Sequence, residues 1–176
     1  MKTRLIMLSL LLAAGMTAMA GELEVNWHEP GTYVDVKGAN ESDKRFRERT
    51  FRQLEAFLQK QASELPDGVK LSLKVTDLNL AGHVRYNFAM HRDIRVVTDT
   101  YWPMIAFDYK ITADNQLVDA GSVELKDMSF LHRGSVLNIK YKVLGYEKRL
   151  LSRWFKKDVT KVVNNWQQHQ KAVMAE

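Results

Sequence analysis

The chain has no cysteine among its 176 residues. That excludes disulfides, thiol catalysis and thiolate metal sites, and with them a lipid carried on an N-terminal cysteine. Prolines number only three, Pro30, Pro66 and Pro103, each where the patterning changes character. There is no low-complexity linker and no internal repeat. Signatures of chemistry are scarce as well. No Gly-x-Ser-x-Gly elbow, phosphate-binding loop or dinucleotide fingerprint occurs. The five histidines, His28, His83, His91, His132 and His169, form no i, i+4 pair and no zincin motif. His91-Arg92-Asp93 copies a kinase catalytic-loop tripeptide, but no glycine-rich loop accompanies it, so chance is its explanation. These absences predict no catalytic residue, no metal and no cofactor.

Long apolar runs are equally rare, and the one present is N-terminal. Lys2 and Arg4 precede an apolar run from Leu5 to Ala14, and Gly15 to Ala20 follows, ending in the small-x-small pattern Ala18-Met19-Ala20. This is the layout of a cleavable secretory signal over residues 1–20, cut between Ala20 and Gly21. The run is too short to span a bilayer, which takes about 20 residues. The expected product is a soluble periplasmic protein, residues 21–176 forming a single domain long enough to bury its own core. The whole chain carries +5, and without Lys2 and Arg4 the remainder carries +3. That mild excess does not predict a nucleic-acid partner. It leaves an envelope protein or a small ligand as partner, with at most peripheral contact to an anionic membrane.

What remains is well patterned. Leu23-Glu24-Val25-Asn26-Trp27 alternates like a half-buried strand until Pro30-Gly31 breaks it, and Tyr33 to Val36 reads as a further extended piece. From Ser42 the period becomes helical. Phe46, Phe51, Leu54, Phe57, Leu58, Ala62 and Leu65 share a stripe, Ser42 is placed to cap it, and Pro66-Asp67-Gly68 ends it. Leu71, Leu73 and Val75 then alternate with polar residues. The parity breaks at Asp77, because Leu78 and Leu80 follow, which predicts a bulge there. Residues 83–92 read as irregular and Asp93 to Thr98 as a strand. Ile105, Phe107, Tyr109 and Ile111 make a stronger strand, turning at residues 113–116 into a return strand with Leu117, Gly121, Val123 and Leu125 on one face. Residues 134–145 fit a strand or a helix equally well. Leu151, Phe155, Val159, Val162 and Trp166 mark a helix from about Tyr146. The order predicts a two-layer α+β domain, an antiparallel sheet of about four to five strands with two amphipathic helices on one face.

Several short blocks, in order, carry a resemblance. They are Val25-x-Trp27-x-x-Pro30-x-x-Tyr33-x-Asp35, then Leu65-Pro66-x-Gly68 leading to Val75-Thr76-Asp77-Leu78-Asn79-Leu80-Ala81-Gly82, then Asp93-Ile94-Arg95-Val96 with Tyr101-Trp102-Pro103, then Leu125-x-Asp127-Met128, and last Tyr146-Glu147-Lys148-Arg149-Leu150-Leu151-x-x-Trp154-Phe155. With these the chain resembles the family known as domain of unknown function 3016. The resemblance implies an exported protein and assigns no activity.

Two clusters are candidates for a ligand-binding site. Asp77, Asp93, Arg95 and Asp99 fall at ends or breaks of strands. A carboxylate at Asp77, inside an apolar segment, needs a backbone N–H or a cation such as Arg95 if it is buried. Tyr101 and Trp102 follow a loop and offer an aromatic surface to a partner or glycan. The leading expectation is thus a non-enzymatic binding or envelope accessory domain. One alternative is an envelope enzyme using the Asp and Arg groups near Asp77 and Arg95. Another is a peripheral binder of anionic membrane through the basic helix that bears Lys148, Arg149, Arg153, Lys156, Lys157 and Lys161.

Overall fold

A computed structural model describes residues 21–132, 139 and 142–174. The proposed signal segment lies outside the described residues, as do residues 134–138, 140 and 141 of the ambiguous stretch.

The fold is a mixed α+β two-layer arrangement. Strand β1 (Glu22–Trp27) leads through helix α1 (Asp43–Ala62) to β2 (Val69–Asn79). A hairpin of β3 (His83–Asn87) and β4 (Arg92–Val96) follows, then a second hairpin of β5 (Met104–Ala113) and β6 (Gln116–Lys126). The chain ends in a long helix made of α2 (Gly145–Trp154), a π-helical turn (Phe155–Val159) and α3 (Thr160–Val173). The main sheet has the order β1-β2-β5-β6, and β3-β4 forms a sheet of its own.

Local chemistry explains most of this. Ser42 caps α1 by accepting the Arg45 N–H, with Asp43 in the first turn where the helix dipole favours it. The odd-numbered residues of β2 from Val69 to Val75 are buried against Leu54 and Leu58 of α1 and Leu151, Phe155 and Val159 of the C-terminal helix. Both helices thus cover one face of the sheet. The other face carries Lys74, Asp108, Lys110, Ser122 and Glu124 and is open. The parity break at Asp77 is a bulge, since the pairing of β2 with β5 slips between Val75 and Asp77.

Four features differ from the sequence reading. The main sheet is not wholly antiparallel, because β1 pairs parallel to β2. Alternation gives a strand its faces and not its direction, and α1 carries the chain back to the end where β1 began, as a parallel neighbour requires. Tyr33 to Val36 is a turn, whose Tyr33 and Val36 plug the core. Residues 83–87 are strand, and their apolar side chains are largely exposed because the hairpin stands off the main sheet. Leu117 points outward, 63% exposed. The β5–β6 pairing slips by one residue at Thr112–Leu117, so Val118 takes the inward place.

The π turn settles the phase of the last helix. Leu151, Phe155, Val159 and Val163 are all buried at a spacing of four. In a pure α-helix such a row drifts by about 40° per step. The wider turn takes up the drift. The Thr160 N–H reaches back to the Phe155 carbonyl, to which the Thr160 hydroxyl also donates at 3.2 Å.

Tyr33 ties the first loop to the bulge. Its hydroxyl lies 2.9 Å from both the His28 and Val75 carbonyls, between which its one proton is shared. Burial, with the Asp77 carboxylate nearby, pushes its pKa up to about 12. A folded-state value above the ordinary 10 means stability that is complete below pH 10 and lost as pH rises through 12. Tyr33→Phe should cost about 1–2 kcal/mol at neutral pH. The wild-type advantage over this variant should then shrink between pH 10 and 12, as urea melts across that range would show.

Candidate binding cleft

Where β2 ends, Leu80-Ala81-Gly82 turns the chain into β3. Gly82 has φ +77°, and a Cβ there would meet the Val96 carbonyl oxygen at 2.3 Å, so the turn is built for glycine. Two oppositely charged side chains hold this turn from different elements. Arg95 of β4 donates through Nη1 to the Gly82 carbonyl at 2.8 Å. Its Nη2 donates to the carbonyls of Asp35 at 2.8 Å and Lys37 at 3.1 Å, and the guanidinium lies over the Phe46 ring. From the first turn of α2, Glu147 accepts the adjacent Ala81 N–H at 2.7 Å. Only 4% of Glu147 is exposed.

Desolvation disfavours the charged form of both groups. Burial lowers the Arg95 pKa, against the opposing pull of Asp35 and Glu147. It raises that of Glu147, against the Ala81 N–H, its own backbone N–H, and the Arg95 and Lys148 charges. Arg95 and Glu147 both border a cleft of about 260 Å³ whose apolar wall includes Phe46, Leu80 and Val97. The start of α2 is constrained at the same place. Leu144 adopts a left-handed φ of 54°, and a Cβ on Gly145 would meet the Ile139 carbonyl oxygen at 2.3 Å. A guanidinium and a carboxyl group on the border of an apolar wall can orient a ligand that has an apolar body and one polar group.

The residues singled out from the sequence are dispersed. Asp77 does not pair with Arg95: its Oδ1 accepts the Leu78 N–H at 2.8 Å, and it faces Tyr33. A bulge frees a nearby backbone donor, which satisfies the carboxylate without a cation. Asp93 is half-buried, its backbone carbonyl accepting from Asn40. Asp99 is exposed and accepts the Thr100 hydroxyl at 3.4 Å. Tyr101 and Trp102 are partly exposed. The Tyr101 ring lies against His83 at 4.1 Å, and its carbonyl accepts the Gly82 N–H. Arg95 and Tyr101 therefore meet at the Gly82 turn, whereas Asp77 and Asp99 serve separate local bonds. Glu147 was missed, although the stripe Leu151–Trp154 extends back to it at positions i, i+4 and i+7. Among the described residues no cluster of three or more His, Asp or Glu is placed to hold a metal. No described helix is long and apolar enough to cross a membrane.

Parts of four of the blocks that carry the family resemblance meet at this cleft: Asp35, Leu80 to Gly82, Arg95, and Tyr146 with Glu147. The family described as "Protein of unknown function (DUF3016)" matches residues 21–157. The chain belongs to this family. No curated protein and no solved structure matches it.

Because the Glu147 pKa is raised above the ordinary 4.5, its stabilising contribution is full below pH 4.5 and is lost as pH rises through the folded value. Glu147→Gln keeps an acceptor for Ala81 and removes the buried charge. The variant should equal or exceed the wild type in stability at pH 7–8 and lose that advantage near pH 4. Thermal melts at the two pH values give the comparison, and a variant weaker at both would contradict the assignment.

Proposed function

We propose that the chain is exported to the periplasm and acts there as a non-enzymatic binding or envelope accessory domain. It takes a small ligand or a partner's side chain in the Arg95–Glu147 cleft. The observation that carries this reading is that a guanidinium and a buried carboxyl group, each bonded to a different backbone group of one glycine turn, border the same apolar-walled cleft. The N-terminal segment supports export, with Lys2 and Arg4, the Leu5–Ala14 run and Ala18-Met19-Ala20 in order. Ala39 lines the cleft, so Ala39→Trp fills it without removing a hydrogen bond. Crosslinked envelope captured on the wild-type protein should yield a reproducible partner or ligand that Ala39→Trp loses while keeping its far-UV spectrum. No reproducible capture, or equal capture by both, would overturn the reading. Mass spectrometry of the envelope fraction should find the chain starting at Gly21, and finding Met1 to Ala20 still attached would refute the export proposal.

A further inference from the structure

The β3–β4 hairpin stands off the main sheet and carries the most exposed aromatic residue of the described chain at its tip. Phe88 is 81% exposed, Met90 58% and Tyr86 47%. Three apolar side chains this open on one turn are not explained by packing. The tip is nevertheless ordered. The Asn87 side chain accepts the Met90 N–H at 2.9 Å, His91 closes the turn with a φ of 49°, and Tyr86 and Phe88 meet edge to face at 5.1 Å. Arg85 and Arg92 are exposed on the strands just behind it. The acid nearest in the ladder is Asp93, half-buried opposite Tyr86. The tip is therefore apolar with a cationic collar.

We infer that this hairpin tip docks the protein on an anionic phospholipid bilayer, Phe88, Met90 and Tyr86 entering the interfacial region and Arg85 and Arg92 pairing with headgroups. Area and charge decide between a lipid surface and a protein partner. At roughly 200 Å² per side chain and these exposed fractions, the three offer about 370 Å² on this side, or about 740 Å² counted over both partners, short of the roughly 1,200 Å² that a specific protein interface buries in total. A soft interface accepts a convex tip without a complementary groove, and the collar matches its sign. The basic C-terminal helix offers much less. Its Leu151, Phe155 and Val159 are buried in the core, and its Arg149 and Arg153 are engaged with Asp127.

Flotation with vesicles of phosphatidylglycerol and phosphatidylcholine tests this, using the chain from Gly21, which contains every element described above. Binding should require phosphatidylglycerol and weaken with salt. It should fall about tenfold or more in the double variant Phe88→Ser, Met90→Ser, and roughly fivefold for each of Arg85→Gln and Arg92→Gln. All four positions are exposed, so melting temperatures should stay unchanged. The triple variant Lys156→Gln, Lys157→Gln, Lys161→Gln should bind within twofold of the wild type. Soluble glycerol phosphate should not compete, which separates a bilayer from a free headgroup. The inference is overturned if the chain ignores anionic vesicles at low salt, if the tip variants bind like the wild type, or if the lysine variant alone loses binding. Each of these outcomes leaves the Arg95–Glu147 cleft and its capture test untouched.

Discussion

Replacing Asp127 by alanine should lower stability by about 3–5 kcal/mol, the loss expected when one partner of a buried ion pair is removed. For a chain of this length that corresponds to a fall in Tm of roughly 6–20 °C. The Asp127 side chain is 1% exposed. Its Oδ2 accepts from Arg149 at 3.4 Å and Arg153 at 3.2 Å, and its Oδ1 accepts the Ser129 N–H at 3.2 Å. Arg149 also donates to the Phe130 carbonyl at 2.8 Å and lies over the Tyr146 ring. One carboxylate thus joins the end of β6 to the Phe130 turn and to two successive turns of α2. Alanine would leave the mostly buried Arg149 without this counter-charge. The two arginines should behave differently. Arg153 is 43% exposed, so Arg153→Ala should cost no more than about 1 kcal/mol. In a double-mutant cycle, Asp127→Ala with Arg149→Met should recover part of the loss, because the only cation left without its partner is then the solvent-exposed Arg153. A cycle that is additive within about 0.5 kcal/mol would show that the pair does not act as a unit.

Arg95→Ala should cost about 3 kcal/mol, and locally. Three backbone carbonyls lose a charged donor, and bonds to charged donors contribute about 1.5–3 kcal/mol each before relaxation and water replace part of them. Arg95→Lys should recover less than half, because one ammonium cannot span the Gly82 carbonyl on one side and those of Asp35 and Lys37 on the other. Hydrogen exchange is the direct readout. Amides of β3, β4 and residues 35–37 should exchange about a hundredfold faster, while those of β2 and β5 stay protected. Equal acceleration throughout the chain would mean that Arg95 supports the whole core rather than the cleft. The loss should also depend on pH. Without the guanidinium the Glu147 pKa rises further, so Arg95→Ala should recover some stability as pH falls toward 4.

How much of this was legible follows from the range of each interaction. The α1 stripe, the Ser42 cap, the bulge at Asp77 and the turn at Asp114-Asn115 are local, and all were readable as patterns. The parallel placement of β1 was not, since it depends on where α1 delivers the chain. The π turn left no mark beyond a row of spacing-four apolar residues, which also reads as ordinary helix. Of the β3–β4 hairpin, β4 was read as a strand at Asp93 to Thr98, whereas β3 escaped, because it is open to solvent on much of its surface and burial imprints no alternation. At the cleft, Arg95 was found by type and position, and of the two partners open to Asp77, a backbone N–H or Arg95, the structure gives the first, the N–H of Leu78. Glu147 hid among the basic residues of its helix, where only its place on the apolar stripe betrays a buried acid. Arg149 and Arg153 were read only as part of a basic helix face, because their shared carboxylate, Asp127, comes from the distant end of β6.

The parallel seating of β1 also orders events in time. Its ladder runs from Glu22 with Lys70 to Trp27 with Val75, partners forty-eight residues apart, and β2 finds its other neighbour only when β5 exists. Contacts of such separation form late, after the cost of closing long loops has been met. The first strand to be made thus waits for β2, its single neighbour, and the α1 segment between them has no sheet to cover until then.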